Sequence, residues 1–435
     1  MTAVETVVIG GGLSGLVHAH ALAKSGSNVV LLERGAEPGG VVRTVIQEGY
    51  LLELGPNTVR PTPALLALAR EVGVAGDMRF SDPRLPRFVE LDGRLRRLPL
   101  GVLSPAVLLR AAAEPFVRRR GEGDEESAFD FVARRFGRAI AERLLEPFVS
   151  GIYAGDAHRL SAAAAFPKIV AFEREHGSVL RGLLASRRGK EKSAEPRPKG
   201  LMSFQEGLGT LPRALASALG ERFRAGVEVE RIEPGPGGWR VFSSVGDMSA
   251  RNVVLAASAG TAAKIVAPAA SEAARALAAV PAPEVCVAHC AWPAAAFSRP
   301  PFGFGHLLAP RPGEPVLGAV WSSALFPGRA PAGQVLLTFF LGGRRNPAAA
   351  RLDDGAVTAA VHEDARRALG ATEPPRLLRA TRYAAAIPQY EAGHAARIAA
   401  LEEAEARLPG LHFLGNYRGG ISVGDVVENA IISRK

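Results

Sequence analysis

The sequence predicts an α/β protein in which a doubly wound parallel sheet is joined to a second, β-sheet domain and carries a helical insertion. Three observations predict it. A strand, a glycine turn, a helix and a second strand follow one another in residues 4–33; helical periodicity takes over across about 100–182; short strands dominate from about 284 to 390. At 435 residues the chain is too long for one ordinary core. The expected boundaries are 1–80, 196–260 and 401–435 for the first domain, 81–100 and 261–400 for the second, and 101–195 for the insertion.

Each element has a local reason. Residues 12–25 continue from glycines into an apolar helix, and NVVLLE (28–33) reads as a buried strand. SAFDFVARRFGRAIAERLLEPFVSGIY (127–153) repeats its apolar residues at three and four, which places them on one helical face. ASRRGKEKSAEPRPKG (185–200) mixes charges with two prolines and has no apolar period, so it predicts a solvated linker, mobile at its centre. Beyond it, LGTLPRALASALG (208–220) predicts a helix. FRAGVEVERIEPGPGGWRVFSS (223–244) predicts alternating strands about a Pro-Gly turn, and NVVLAASAGTAAKIV (252–266) a buried strand entering a helix. These would complete the first sheet. VCVAHCAW (285–292), VLGAVWSS (316–323) and QVLLTFFLGG (334–343) supply the second, and the tail 411–435 reads as strand, glycine loop and final helix.

Gly10, Gly12 and Gly15 form GxGxxG directly after the first strand. Gly10 permits the turn, Gly12 presents no Cβ to a pyrophosphate, and Gly15 lets the helix pack on the strand. Leu13 and Ser14 open the helix, whose N-terminal amides favour phosphate. Glu33, followed by Arg34, ends the second strand, where a carboxylate accepts from ribose hydroxyls and repels a 2′-phosphate. This is a Rossmann-like dinucleotide fingerprint, open at this point to NAD or FAD.

Gly39, Gly40 and Arg43 in GGVVRT (39–44) resemble the loop that two-dinucleotide-binding flavoproteins lay over FAD. FLGNYRGGISVGDVVENA (413–430) resembles their second flavin signature, with Gly415, Asn416, Val423, Gly424 and Asp425 as the implied contacts. Val227 matches the strand whose backbone meets adenine there, and Gly55 and Pro56 complete the implied set. No second GxGxxG is present, so a bound NADPH is not expected, and no cysteine lies near the tail, so the FAD should be noncovalent.

No Ser-His-Asp set, carboxylate pair or metal cluster has workable spacing. CVAHC (286–290) alternates like a strand and brings no further ligands, so no metal is expected. His306 and His394 read as packed or surface residues.

LELGPNT (52–58), RFVELDGRLRRLP (87–99), EPFVSGIYAGD (146–156), LGAVWSSALFPGRAPAG (317–333), AIPQY (386–390) followed by Gly-His at 393–394, and LGNYRGGISVGD (414–425) resemble the oxygen-dependent protoporphyrinogen oxidase family, which includes the coproporphyrinogen III oxidases of the Gram-positive type. The likeness runs the length of the chain. It departs at Glu206, where the family often has glycine, and at ISVGD, where GVG or GVA is usual. The resemblance implies a tetrapyrrole substrate, with Arg87 pairing a propionate, Asn57 beside the ring system, Gly151 and Gly155 lining the pocket through backbone, and Phe326 stacking on a pyrrole. It implies three two-electron oxidations linked by tautomerisation, with O2 reduced to hydrogen peroxide. No side chain is expected to act as a base, because the pyrrole nitrogens can drive hydride departure themselves and the protein has mainly to position the ring. Coproporphyrinogen III is the nearest alternative substrate. An amine or carotenoid oxidoreductase is a second enzyme alternative, and a non-catalytic flavin-bound scaffold the alternative from another class.

Charge adds less. The net +10 invites polyanions, but nearly all of the 53 basic residues are arginine in an Ala-, Gly- and Pro-rich chain, which suggests a coding bias, and no nucleic-acid motif accompanies it. Two cysteines favour a reducing, cytoplasmic compartment. The apolar start at 6–23 follows Glu5 in place of a basic leader and holds three consecutive glycines, so no transmembrane helix is expected. LPLGVLSPAVLLRAAAEPFVRRRG (98–121) pairs an apolar helix with arginines; it reads equally as a peripheral anchor on the inner face of the membrane and as a cover for the substrate tunnel. Family members are often homodimers, and no interface is legible in the chain.

Overall fold

The computed structural model describes residues 3–119, 121, 125–188 and 198–433. Its first sheet has Ala3–Ile9 at the centre, paired in parallel with Val29–Leu32 on one side and Met248–Leu255 on the other. Both faces of such a strand are covered, and Val7 and Val8 are both fully buried accordingly. Phe223–Arg224 extends one edge and Leu411–Phe413 pairs Met248–Leu255 in parallel. Val229–Gly235 and Gly238–Ser243 form the expected hairpin beyond. The three separated stretches therefore build one sheet. Val227 falls just before the Val229–Gly235 strand instead of within it, and donates its amide to Glu33 O at 2.8 Å.

Residues 261–280, expected in the second domain, pack here: Ala262, Ile265, Ala273 and Leu277 lie in one core with Val7, Leu255 and Phe413. Leu401 and Ala404, on the helix His394–Arg407, join the same core.

The second sheet is seven-stranded, running Arg376–Tyr383, Val285–Pro293, Gln334–Gly342, Val316–Val320, Gly305–Leu308, Arg87–Leu91, Arg94–Arg97. Its register sorts the side chains. Arg87, Gly305, Val320, Thr338 and His289 stand opposite one another in one cross-strand row, and Phe88, His306, Ala319, Phe339 and Ala288 in the next. Adjacent rows point to opposite faces. The Phe88 row packs under the helix Asp354–Leu369, where His306 Nε2 lies 2.9 Å from Asp364. Trp321 Nε1–H donates to His306 Nδ1 at 3.1 Å, so Nε2 carries the proton and His306 is a neutral, packed residue. The Arg87 row faces the first domain, where His289 Nε2 meets Glu53 O at 2.9 Å.

The insertion is helical as expected but not continuous. Ala128–Phe136 stops at Gly137, whose φ of 101° no helical residue adopts, and the chain resumes through a wide turn at Ala141–Leu145 into Glu146–Tyr153. Val179–Arg188 extends four residues into the predicted linker; the centre of that linker, 189–197, lies outside the described residues.

Candidate flavin and substrate site

The fingerprint glycines do three separate things. A Cβ on Gly10, at φ 111°, would meet the Ala256 backbone at 2.9 Å, and one on Gly15 would reach Gly10 O at 2.0 Å; these two set the approach of strand end and helix. A Cβ on Gly12 would meet nothing within 4 Å. Open space therefore lies in front of Gly12, where the helix Leu13–Lys24 begins and the amides of Leu13 and Ser14 have no intrahelical acceptor. The second glycine loop is stitched to the first: Gly39 N–H donates to Gly11 O at 2.7 Å and Gly40 packs on Gly12. Arg43 hangs from this loop with a buried Nε that has no partner. Gly55 lies under Val41 O, so the turn into Pro56 closes on the same loop.

Glu33 sits at the strand end as expected. Its two oxygens accept from Gly11 N–H at 2.5 Å and Gly35 N–H at 2.6 Å, which fixes the carboxylate while leaving a lone-pair site on each oxygen. Arg34 points outward, 3.7 Å from Glu228.

At the other end, Tyr390 from AIPQY holds the tail loop. Its hydroxyl donates to Asn416 O at 2.7 Å and accepts from Gly420 N–H at 3.0 Å, while His394 stacks on its ring at 4.0 Å. Gly415 is packed by Tyr417. Ser422 caps the final helix, Val423–Ile432, in a reciprocal box with Asp425. Both the amide and the carboxylate of Asp425 are thereby used, so Asp425 shapes the turn, and the outward amides are those of Val423 and Gly424. Gln389 Nε2 donates to Tyr153 O at 2.8 Å, which ties AIPQY to SGIYAGD.

The substrate residues divide into two groups. Arg87 is exposed at the mouth of a cavity of about 940 Å³, stacked on Phe304 at 5.0 Å. Asn57 and Phe326 meet elsewhere, in a small second cavity with Ser322 and Arg329. Phe326 is 4% exposed there, so the expected stacking on substrate is not how this side chain is used. Both cavities lie along the Arg87 row of the second sheet, because Val320 of that row lines the small one. Gly151 packs against Leu307, which lines the large cavity, and Gly155 against Gln389.

Sequence reasoning missed the large cavity's far wall, made by Val132, Phe136, Ile140, Leu144, Leu145 and Phe148. Its only signal was the helical apolar face. Arg84 and Arg97 join Arg87 on the opposite edge; Arg84 is held by Asp82 at 2.8 Å.

Residues 13–433 match the model of the flavin containing amine oxidoreductase family. The chain is 35% identical to the chloroplastic protoporphyrinogen oxidase of Oryza sativa subsp. japonica over 98% of its own length and 86% of that protein. It is 31% identical to the human protoporphyrinogen oxidase over 97% and 96%. The chain belongs to this family, in its protoporphyrinogen oxidase branch. The crystal structure of an Exiguobacterium sp. 255-15 protein provisionally assigned as a protoporphyrinogen oxidase superposes with a TM-score of 0.82 at 23% identity, covering all of this chain and 98% of that one, which places the fold.

The residues present fit the family's flavin. The space before Gly12, the unpartnered Arg43 Nε and two helix N-termini, both following parallel strands on the same edge of the first sheet, would give a dinucleotide neutral and cationic donors.

Proposed function

We propose that this protein is an FAD-dependent oxidase that converts protoporphyrinogen IX to protoporphyrin IX, with O2 reduced to hydrogen peroxide over three two-electron turnovers. The observation that carries the reading is the charge layout of the large cavity. Among the described residues, its lining cations, Arg84, Arg87 and Arg97, belong to the Arg87–Arg97 hairpin and its lead-in, Arg97 standing in the Phe88 row, while the facing wall is aliphatic and aromatic. Protoporphyrinogen IX carries two propionates on neighbouring rings and apolar substituents on the other two. Coproporphyrinogen III carries four, two of which would be pressed against Phe136, Leu144 and Phe148 without a cation, at a cost of several kcal/mol each. The volume lies within the range of small-molecule sites.

A bound flavin supplies hydride acceptance and return of the electrons to oxygen. The chain's part is positional. Arg87 anchors a carboxylate at the mouth, the apolar wall excludes water from the macrocycle, and Gly12, Glu33, Arg43 and the Val423 and Gly424 amides hold the dinucleotide from both ends. The described residues that line the large cavity include no carboxylate or imidazole. Purified protein should be yellow and should generate porphyrin fluorescence from protoporphyrinogen IX with matching peroxide; a flavin-loaded protein that yields none overturns the reading.

A further inference from the structure

Two of the family-like stretches and the GGVVRT loop meet at a buried ion pair that this chemistry does not use. Glu53, from LELGPNT, and Arg329, from LFPGRAP, come from the two different domains and are 4% and 3% exposed. Arg329 Nη2 lies 3.6 Å from Glu53 Oε1. The surrounding groups can all donate to the carboxylate. Thr44 Oγ1 accepts from Gly209 N–H at 2.9 Å and donates to Glu53 Oε2 at 2.6 Å. Ser203 Oγ accepts from Arg329 Nη2–H at 2.6 Å and turns its proton to Glu53 Oε1 at 3.5 Å, where Leu208 N–H also donates at 2.9 Å. Every neighbour donates, and an ionised carboxylate is the acceptor-only form. Burial pushes the Glu53 carboxyl upward and the Arg329 guanidinium downward; the all-donor geometry sides with the charged pair.

The pair is joined to the flavin loop by one residue. Thr44 ends GGVVRT, whose Gly39 is bonded to Gly11 O and whose Arg43 carries the unpartnered Nε. On the other side Arg329 O accepts Leu51 N–H at 3.1 Å and its guanidinium stacks on Phe326 at 5.2 Å. We propose that Arg329 is a positioning residue for the flavin: its charge keeps Glu53 ionised as the acceptor for Thr44, and so locks the glycine loop against Gly11 and Gly12.

Among the described residues, the titratable and charged groups that face Glu53 are Arg329 and His289, and burial pushes the His289 imidazole down to about 4, so it is neutral at working pH. Removing Arg329 leaves a buried carboxyl that must take up a proton to stay in place. Loop closure then weakens as pH rises above the ordinary carboxylate range, by at most tenfold per pH unit. FAD titration of the apoprotein, read by flavin fluorescence, tests this. In Arg329→Met the FAD dissociation constant should rise at least tenfold from pH 6 to pH 8, while the wild type and Arg329→Lys stay flat; Glu53→Gln/Arg329→Met, with no charge to compensate, should be flat again. An Arg329→Met profile parallel to wild type, or a slope that persists in the double variant, overturns the proposal. Should Arg329→Met not fold, the double variant decides: a folded, flavin-binding protein with a flat profile supports it, and failure to fold contradicts it.

Discussion

Tyr390→Phe removes one oxygen atom and two hydrogen bonds at the tail loop, and the cost can be worked from their geometry. The hydroxyl donates to Asn416 O at 2.7 Å and accepts from Gly420 N–H at 3.0 Å, in a residue 4% exposed. Each bond contributes about 1 kcal/mol net, and an abandoned buried partner costs about 1–3 kcal/mol. Asn416 and Gly420 are half-buried, so water recovers part of this, and a total of about 2 kcal/mol is expected. The loop these bonds brace runs into Val423 and Gly424. The loss should therefore appear as weaker FAD binding, by roughly tenfold to thirtyfold, since 1.4 kcal/mol is a factor of ten. The fall in melting temperature of the flavin-free protein should be smaller in free-energy terms. FAD titration and thermal unfolding of the apoprotein separate the two. Unchanged FAD affinity with a lowered apoprotein melting temperature would refute the argument, because Tyr390 would then support the core and not the loop.

Arg87→Ala should raise KM for protoporphyrinogen IX by roughly tenfold to a hundredfold, the range of a charge-assisted bond, with flavin content unchanged; equal loss of both would make Arg87 structural. His394, pushed down to about 4 by burial, binds fewer protons folded than unfolded. Its contribution is present above pH 6.5 and lost as pH falls from 6.5 toward 4, by up to about 3 kcal/mol. His394→Gln should flatten the drop in melting temperature between pH 7 and pH 4.5, and an unchanged drop would contradict this. Leu108, Leu109 and Phe116, with exposures of 40%, 75% and 86%, give the helix Pro105–Ala112 and the turn after it an apolar outer surface beside arginines. We expect the protein to float with anionic vesicles and Leu109→Glu/Phe116→Glu to stay in solution; recovery of the wild type wholly in the soluble fraction would leave that surface as tunnel cover. No helix among the described residues is long and apolar enough to cross a membrane.

Much of the nucleotide half was legible because its requirements are local. Gly10, Gly12, Gly15 and Glu33 lie within one strand-helix-strand unit, at the strand ends and helix start where their spacing placed them. The second sheet was legible as strands, but not its register, which arises from pairing between residues over two hundred positions apart, such as Arg87 with Gly305. That register decides which side chains share the substrate face. Phe326 was misjudged for the same reason: an aromatic in a family-like motif reads alike whether it faces a ligand or lies under Arg329. Glu53 and Arg329 were quoted in motifs without a role, since a pair formed across two domains leaves no periodic trace. Domain limits at 261 slipped because small-residue helices such as Ala259–Val266 carry no mark of the sheet they cover.

The central claim is that the large cavity accepts carboxylates on one edge only. Its most direct measurement is kcat/KM for protoporphyrinogen IX and coproporphyrinogen III, followed in parallel by porphyrin fluorescence on one flavin-loaded preparation. Two unpaired carboxylates against the Phe136, Leu144 and Phe148 wall predict a preference for protoporphyrinogen IX of at least about a hundredfold. Equal rates, or a preference for coproporphyrinogen III, would contradict the account.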